Sequence, residues 1–141
     1  MNRSPIGIFD SGIGGLTVAR AVFDQLPRES TVYFGDTARV PYGPKSPETV
    51  RRYSLEILRW LLEQRVKAVV IACNTSTAHA LETLQAESPV PVIGVIEPGA
   101  RAAAATDTGR PIGVIGTAGT IASNAYARAI HRVRADAIVE Q

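Results

Sequence analysis

Cysteine is nearly absent from this sequence, and so are long apolar runs. The only cysteine among the 141 residues is Cys73, so no internal disulfide can form. No apolar run approaches the roughly 18 residues that span a bilayer. The opening segment MNRSPIGIFDSG also lacks the apolar stretch of about 7–15 residues that marks a signal peptide. We therefore expect a cytoplasmic protein without a membrane partner.

An excess of charge of one sign is lacking as well. Fifteen lysines and arginines oppose thirteen aspartates and glutamates, and they are scattered along the chain, which leaves a net charge of +2. Nucleic acids and membranes are recognised through concentrated basic patches, so we expect neither as a partner. The two histidines, His79 and His131, fall in helical patterns without any metal-ligand spacing. We expect both to be structural and no metal to be bound.

What the sequence does have is an alternation of short β-type runs with longer helical patterns. The runs rich in valine and isoleucine, typical of strands buried on both faces, are IGIF, TVYFG, KAVVIA, PVIGVI, IGVIG and AIVE. The clearest helical segment is SPETVRRYSLEILRWLLEQR, in which Ser46 can cap and Pro47 fits the first turn. Its predicted apolar face consists of Val50, Tyr53, Ile57, Leu58 and Leu61. This order predicts an α/β fold, a flavodoxin-like parallel sheet with helices on both faces.

A change of composition at the proline-rich segment near residues 95–100 predicts a domain boundary. We assign residues 1–97 to a first α/β domain and residues 98–141 to the start of a second. The chain stops at DAIVEQ, inside or just after a strand, so we expect the second domain to be truncated.

Polar loops follow the first three predicted strands, with the sequences DSGIGGLT, GDTARVPYG and CNTST. The carboxyl ends of parallel strands form the ligand crevice of such sheets. If the strand order is 2-1-3, the first and third strands are neighbours about 4.8 Å apart. Asp10 and Cys73 would then face one crevice.

The glycines of the first loop do not fit the common nucleotide-binding motifs. Thr17 stands where a dinucleotide fingerprint needs its third glycine, and Asp10 would repel a pyrophosphate. A Walker A loop is excluded because Ile13 stands where the lysine belongs. A second interpretation remains open, in which these glycines allow close packing of a tight turn between strand and helix. This interpretation is compatible with any function of the loop.

Cys73 stands where an apolar run gives way to small polar residues. A cysteine-phosphatase loop would need an arginine, which CNTSTAHA lacks. A Cys-x-x-Ser redox site and a buried inert thiol both remain open. Asn74, Thr75 and Ser76 predict a helix N-terminus, where free N–H groups and the helix dipole favour an anion such as a thiolate. A thiolate in that position can act as a base or a nucleophile.

The second loop is stiffened by Pro41 and Pro44, which flank Tyr42 and Gly43. Gly43 would let a ligand approach the backbone N–H groups, and Tyr42 offers a hydroxyl donor on a rigid ring. A simple turn with Tyr42 packed on the surface explains the same residues, and the sequence leaves both interpretations open.

Taken in order, the segments GIFDSGIGGLTV, YFGDTARVPYGPKS, VVIACNTSTAHAL, PVIGVIEPGA and IGVIGTAGTI resemble the cofactor-independent glutamate racemases of the aspartate/glutamate racemase superfamily. The resemblance implies two similar α/β domains with the active site between them. It also implies a bacterial enzyme that interconverts L- and D-glutamate, the latter a peptidoglycan precursor, without a cofactor. A pyridoxal Schiff base is disfavoured independently, because Lys45 lies on a loop and Lys67 at the wrong end of its strand.

The resemblance also implies roles for individual residues. Cys73 would be one of two catalytic thiols that exchange the α-proton from opposite faces, and Asp10 would assist it. The residues expected to hold the substrate are Asp10, Ser11, Tyr42, Gly43, Asn74 and Thr75, with Thr117 as a further candidate.

The second cysteine of the family, which adjoins a Thr-His pair, is missing from this sequence. We therefore expect a fragment that lacks the segment completing the first domain and does not racemise glutamate by itself. A homodimer is possible in a full-length form. A non-catalytic amino-acid-binding module is the remaining alternative.

Overall fold

The computed structural model describes residues 3–106 and 109–141. The first seven elements are β1 (Ile6–Asp10), α1 (Leu16–Gln25), β2 (Thr31–Gly35), α2 (Pro47–Glu63), β3 (Ala68–Ile71), α3 (Asn74–Glu87) and β4 (Val92–Gly94). They are followed by α4 (Ile96–Ala105), β5 (Ile112–Gly113), α5 (Ala118–Ala122), α6 (Ala125–Val133) and β6 (Val139–Glu140). The first four strands form a parallel sheet in the order β2-β1-β3-β4, which confirms the flavodoxin-like order predicted from the sequence.

Helices cover both faces of this sheet, because successive side chains of a strand point to opposite sides. Ile8 of β1 packs in one buried cluster with Ala19 of α1. Phe9, the next residue, packs in a second cluster with Ile57 of α2 and Leu84 of α3. The central strand β1 is buried along its whole length, as a strand covered on both faces must be.

Helix α2 begins and packs as its sequence predicts. The Ser46 side chain accepts a hydrogen bond from the Thr49 N–H at 3.2 Å, and Pro47 is the first helical residue. Of the predicted apolar face, Tyr53 is half-buried and the other members, Val50, Ile57, Leu58 and Leu61, are fully buried.

Four of the predicted strands are shorter than their apolar runs, and the difference is largest in PVIGVI and IGVIG. PVIGVI gives only Val92–Gly94, because Val95 turns into helical backbone and its N–H bonds the Thr77 hydroxyl at 3.4 Å instead of a strand. IGVIG gives only Ile112–Gly113, which pairs with β6 in a separate two-stranded parallel sheet. Within the described residues β6 ends at Glu140, and the Ile115 side chain beyond the pairing is 98% exposed.

Helix α4 runs without a break through residues 97 and 98, where the sequence predicts a domain boundary. It packs on α6 through a buried cluster that includes Ile96, Ala100 and Ile130. The assignment of residues 1–97 and 98–141 to separate domains stays a prediction. Across the part of the chain that the structure describes, no helix has both the length and the apolar character required to cross a membrane.

Candidate functional site

Cys73 lies at the carboxyl edge of the four-stranded sheet, directly before helix α3. Its extended backbone makes it the N-cap of the helix, and its Sγ accepts a hydrogen bond from the Ser76 N–H at 3.4 Å. The Ala72 N–H donates to the Phe9 carbonyl at 2.8 Å, which brings the end of β3 beside the end of β1. This confirms the predicted helix N-terminus, and it directs N–H groups and the positive end of the helix dipole at the thiol.

The loop after β1 supplies two polar partners at the same edge. The Cys73 thiol donates to the Ser11 hydroxyl oxygen at 3.4 Å. The neighbouring Asp10 carboxylate is buried and accepts a hydrogen bond from the Gly12 N–H at 2.9 Å. Gly15 permits this packing, since a Cβ there would lie 2.5 Å from the Cβ of Asp10. The loop therefore holds its carboxylate and hydroxyl in fixed positions next to the β3–α3 junction.

Tyr33 of β2 also borders this site and was not recognised from the sequence. Its hydroxyl donates to the Gly12 carbonyl at 3.4 Å. Burial raises the pKa of Tyr33, and the negative charges of Asp10 and Cys73 raise it further. Because Tyr33 lies inside a strand and not in a polar loop, only the alternation of side chains along β2 could have placed it on this side of the sheet.

The second loop holds Tyr42 inside the protein and not on its surface. The Tyr42 ring is 1% exposed, so the surface-packed alternative is wrong. Its hydroxyl donates to the buried carboxylate of Asp36, which also accepts from Arg39 Nε at 2.6 Å. Burial raises the pKa of Tyr42 well above its usual range, and the bond to Asp36 and the charge of that carboxylate add to the effect. The hydroxyl is thus engaged within the loop, and the part of the loop that reaches the rest of the site is Gly43.

Threonine hydroxyls from two parts of the chain meet opposite Gly43. The Oγ1 of Thr75 lies 2.9 Å from that of Thr117 and 3.2 Å from that of Thr120. Thr117 and Thr120 are themselves 3.0 Å apart, and Thr117 caps α5. A Cβ on Gly43 would lie 2.6 Å from the Cβ of Thr117, so only glycine allows this approach. The structure thus brings Gly43, Thr75 and Thr117 together, and it adds Thr120, which only its three-residue spacing from the cap residue Thr117 could have indicated.

Asn74, the first residue of α3, has an exposed side chain that contacts helix α6. Its Oδ1 accepts a hydrogen bond from the Tyr126 hydroxyl at 2.7 Å.

The two histidines make backbone contacts, as expected of structural residues. Nε2 of His79 lies 3.0 Å from the Gly119 carbonyl oxygen, and Nε2 of His131 lies 3.0 Å from that of Ala137.

The site therefore combines a thiol at a helix N-terminus, a fixed carboxylate and a group of hydroxyl and backbone donors. Such donors suit the carboxylates of a small ligand, and the thiol can exchange a proton with it. Lys67 does not reach this site, because it precedes β3 at the opposite edge of the sheet and pairs with Glu29. Fold and site together define a parallel α/β protein with a helix-capping thiol, a buried carboxylate and several hydroxyls at the carboxyl edge of its sheet.

Comparison with known proteins assigns the chain to a family within this class of α/β proteins. A family model described as Asp/Glu/Hydantoin racemase matches residues 6–141. Because that match covers nearly the whole sequence, the chain belongs to the Asp/Glu/hydantoin racemase family.

Individual relatives agree with this membership. A glutamate racemase of Geobacter metallireducens is 62% identical over 128 residues, which are 91% of this chain and 47% of that protein. One of Synechocystis sp. is 58% identical over 139 residues, covering 99% of this chain and 49% of that protein. The chain therefore spans about half the length of the curated relatives it matches.

Solved structures of similar proteins confirm the fold. Glutamate racemase isoform RacE1 from Bacillus anthracis superposes with a TM-score of 0.95 at 48% identity, covering 99% of this chain and 53% of that one. The glutamate racemase of Francisella tularensis, solved in complex with D-glutamate, superposes with a TM-score of 0.89 at 43% identity. It covers 99% of this chain and 52% of that one.

Proposed function

We propose that this chain provides one side of an amino-acid racemase site that interconverts L- and D-glutamate. The observation that carries the proposal is the placement of Cys73, capping α3 with its thiol against Ser11 at the end of the neighbouring strand. The names of the relatives, glutamate racemase in Geobacter metallireducens and Synechocystis sp., supply the substrate.

In the proposed reaction the Cys73 thiolate removes the α-proton of one glutamate enantiomer. The Cα–H bond breaks, an S–H bond forms, and the electron pair is delocalised into the α-carboxylate. The N–H groups at the start of α3 and the hydroxyls of Ser11 and Thr75 are positioned to stabilise negative charge on thiolate and carboxylate. A second acid on the opposite face then returns a proton to Cα and inverts it.

Asp10 assists the thiol in this proposal. The substrate is held by Asp10, Ser11, Tyr42, Gly43, Asn74 and Thr75, with Thr117 as a further candidate. Tyr42 contributes through the shape of its loop, because its hydroxyl is bound to Asp36.

The product D-glutamate would serve peptidoglycan synthesis in the bacterial cytoplasm, and a form with the full length of the relatives would pair as a homodimer. Glutamate is the only partner that the proposal requires.

With one thiol, these 141 residues supply a base on one face only. The chain should therefore exchange the α-proton of one enantiomer with solvent without inverting it. In D2O, proton NMR should show loss of the α-proton signal of one glutamate enantiomer while the optical rotation stays constant. Cys73→Ala should abolish the exchange. The matched control Arg20→Gln removes an exposed ion pair with Asp24 on α1 and should leave it unchanged.

Inversion is tested in a chimera that joins the 141 residues to the part of the Geobacter metallireducens relative that the alignment leaves unmatched. The chimera should racemise glutamate, and Cys73→Ala within it should be inactive. Racemisation that survives this substitution would refute the role of Cys73. Binding of D-glutamate without any exchange would favour the binding module. A mixed disulfide with glutathione, coupled to reduction of a test disulfide, would favour the Cys-x-x-Ser redox alternative.

A further inference from the structure

Tyr126, the second residue of α6, is hydrogen-bonded to Asn74, the first residue of α3. Its hydroxyl donates to the Asn74 Oδ1 at 2.7 Å. Its ring lies against Gly99 of α4, where an added Cβ would be 3.3 Å from the ring carbon Cε1 and from the hydroxyl oxygen. The ring thus packs on α4 while its hydroxyl bonds the first residue of α3.

The hydrogen bond decides which end of the Asn74 amide is available. An asparagine amide carries an acceptor oxygen at one end and two N–H donors at the other. Oδ1 accepts from Tyr126, and among the residues that the structure describes Nδ2 of this exposed side chain has no hydrogen-bond partner. Asn74 directly follows the N-cap Cys73, so its side chain belongs to the same end of α3 as the thiol. An N–H donor attracts a carboxylate and repels an ammonium group.

We propose that Tyr126 is a positioning residue, which holds the Asn74 amide with Nδ2 available as a donor to a substrate carboxylate. The inference rests on the proposed function for the identity of the ligand, and it goes beyond that function in assigning Tyr126 and the orientation of Asn74. If the amide were reversed, Tyr126 would have to accept from Nδ2. Oδ1 would then face the carboxylate and repel it.

The state of the tyrosine agrees with its role as donor. Burial raises the pKa of Tyr126, so its hydroxyl keeps its proton through the neutral pH range. The inference separates the two charged groups of an amino acid at this site. Asn74 serves a carboxylate, and the ammonium group must find its acceptor elsewhere at the site.

The test measures D-glutamate binding to the chain by calorimetry in four variants: the unchanged chain, Tyr126→Phe, Asn74→Ala and the double variant. Tyr126→Phe keeps the ring against Gly99 and removes only the hydroxyl. Loss of one neutral hydrogen bond should weaken binding about fivefold. Tyr126 acts through Asn74, so the double variant should bind no more weakly than Asn74→Ala alone. The control Arg132→Gln removes the α6 ion pair with Glu97 of α4 and should leave binding unchanged.

Asn74→Asp tests the amide orientation without changing Tyr126. The aspartate can still accept from the tyrosine hydroxyl, but it presents an acceptor where Nδ2 was. The proposal expects Asn74→Asp to bind D-glutamate more weakly than Asn74→Ala. Equal or tighter binding would overturn it, because that result means that the side chain meets the ammonium group. Additive losses in the double variant would overturn the role of Tyr126.

Failure of the proposed function is recognised separately. If the unchanged chain binds no glutamate, the racemase proposal fails, and the positioning role is decided by NMR of the ligand-free protein. The Asn74 side-chain amide resonances should shift in Tyr126→Phe and not in Arg132→Gln. Unchanged Asn74 resonances in Tyr126→Phe would overturn the positioning role.

Discussion

The Oγ1 atoms of Thr75 and Thr117 lie 2.9 Å apart, although 42 positions separate the two residues in the chain. Thr75 is in the first turn of α3, which follows the four-stranded sheet, and Thr117 caps α5, which follows β5. This contact joins the helix that carries Cys73 to the part of the chain that begins at α4. The order of the candidate site therefore depends on a hydroxyl pair, and this dependence can be measured.

Thr75→Val should lower the free energy of unfolding by about 1 kcal/mol, the net value of a buried hydrogen bond between uncharged groups. The substitution keeps the shape of the side chain and removes its hydroxyl, while Thr117 and Thr120 still bond each other at 3.0 Å. Urea unfolding measures the change. The control Thr83→Val makes the same replacement about two turns further along α3 and should cost less. Equal losses in the two variants would contradict a specific role for the contact.

Gly43→Ala should separate the second loop from α5. The new Cβ would lie 2.6 Å from the Cβ of Thr117 and 2.8 Å from its Cγ2, so the loop or the helix must move. The movement would also strain the bond from the Gly119 N–H to the Gly43 carbonyl, 3.2 Å long in this structure. We expect a loss of about 1–3 kcal/mol, as for other overpacked sites, and weaker D-glutamate binding.

The matched control for this substitution is Gly113→Ala. An added Cβ at Gly113 meets no atom within 4 Å, so thermal unfolding should change little. If Gly43→Ala were as stable as Gly113→Ala and bound D-glutamate normally, the close approach of the loop to Thr117 would have no functional meaning.

Several parts of this architecture follow from the sequence, and others do not. The strand order and the start of α3 were predictable, because buried runs, polar loops and capping residues are local signals. Tyr126 and Thr120 were not, because their partners Asn74 and Thr75 lie 52 and 45 positions away. Tertiary hydrogen bonds of this kind leave no periodic pattern. The end of β4 was also missed, since the side chain that redirects Val95 belongs to another helix.

Tyr42→Phe should destabilise the protein at neutral pH. The substitution removes a partner from the buried Asp36 carboxylate, which then keeps only part of its hydrogen bonding. We expect a loss of about 1–3 kcal/mol, visible as a lower melting temperature. Tyr53→Phe is the control, because it removes a hydroxyl from the neighbouring ring of the same aromatic pair. Its melting temperature should stay near that of the unchanged chain.

The raised pKa of Tyr42 predicts how the stability of the protein changes with pH. The pKa of Tyr42 in the folded protein is raised above the ordinary value of 10.0. Its contribution to stability is therefore complete below about pH 10 and is lost as the pH rises through the folded-state pKa. The difference in melting temperature between the unchanged chain and Tyr42→Phe should shrink in the alkaline range. A difference that grows with pH would contradict this assignment.

Ser11→Ala should slow the exchange of the α-proton that depends on Cys73. The Ser11 hydroxyl lies 3.4 Å from the thiol sulfur and can turn its proton toward the sulfur when a thiolate forms. Hydrogen bonds to charged groups are worth about 1.5–3 kcal/mol. Because the sulfur gives up part of its charge as the S–H bond forms, about half of this energy is retained in the transition state, and the exchange rate in D2O should fall about 3- to 10-fold. Proton NMR of the glutamate α-position measures the rate. Binding should weaken less than the rate falls, because this bond strengthens only when the sulfur is charged.

Ser11→Thr is the matched variant, because it restores a hydroxyl at the same position. Exchange by Ser11→Thr should exceed that of Ser11→Ala, and both proteins should melt close to the unchanged chain, since Ser11 is only half-buried. An unchanged exchange rate in Ser11→Ala would mean that the hydroxyl does not support the thiolate. In that case the N–H groups at the start of α3, including that of Ser76 at 3.4 Å, would be the principal support of the Cys73 sulfur.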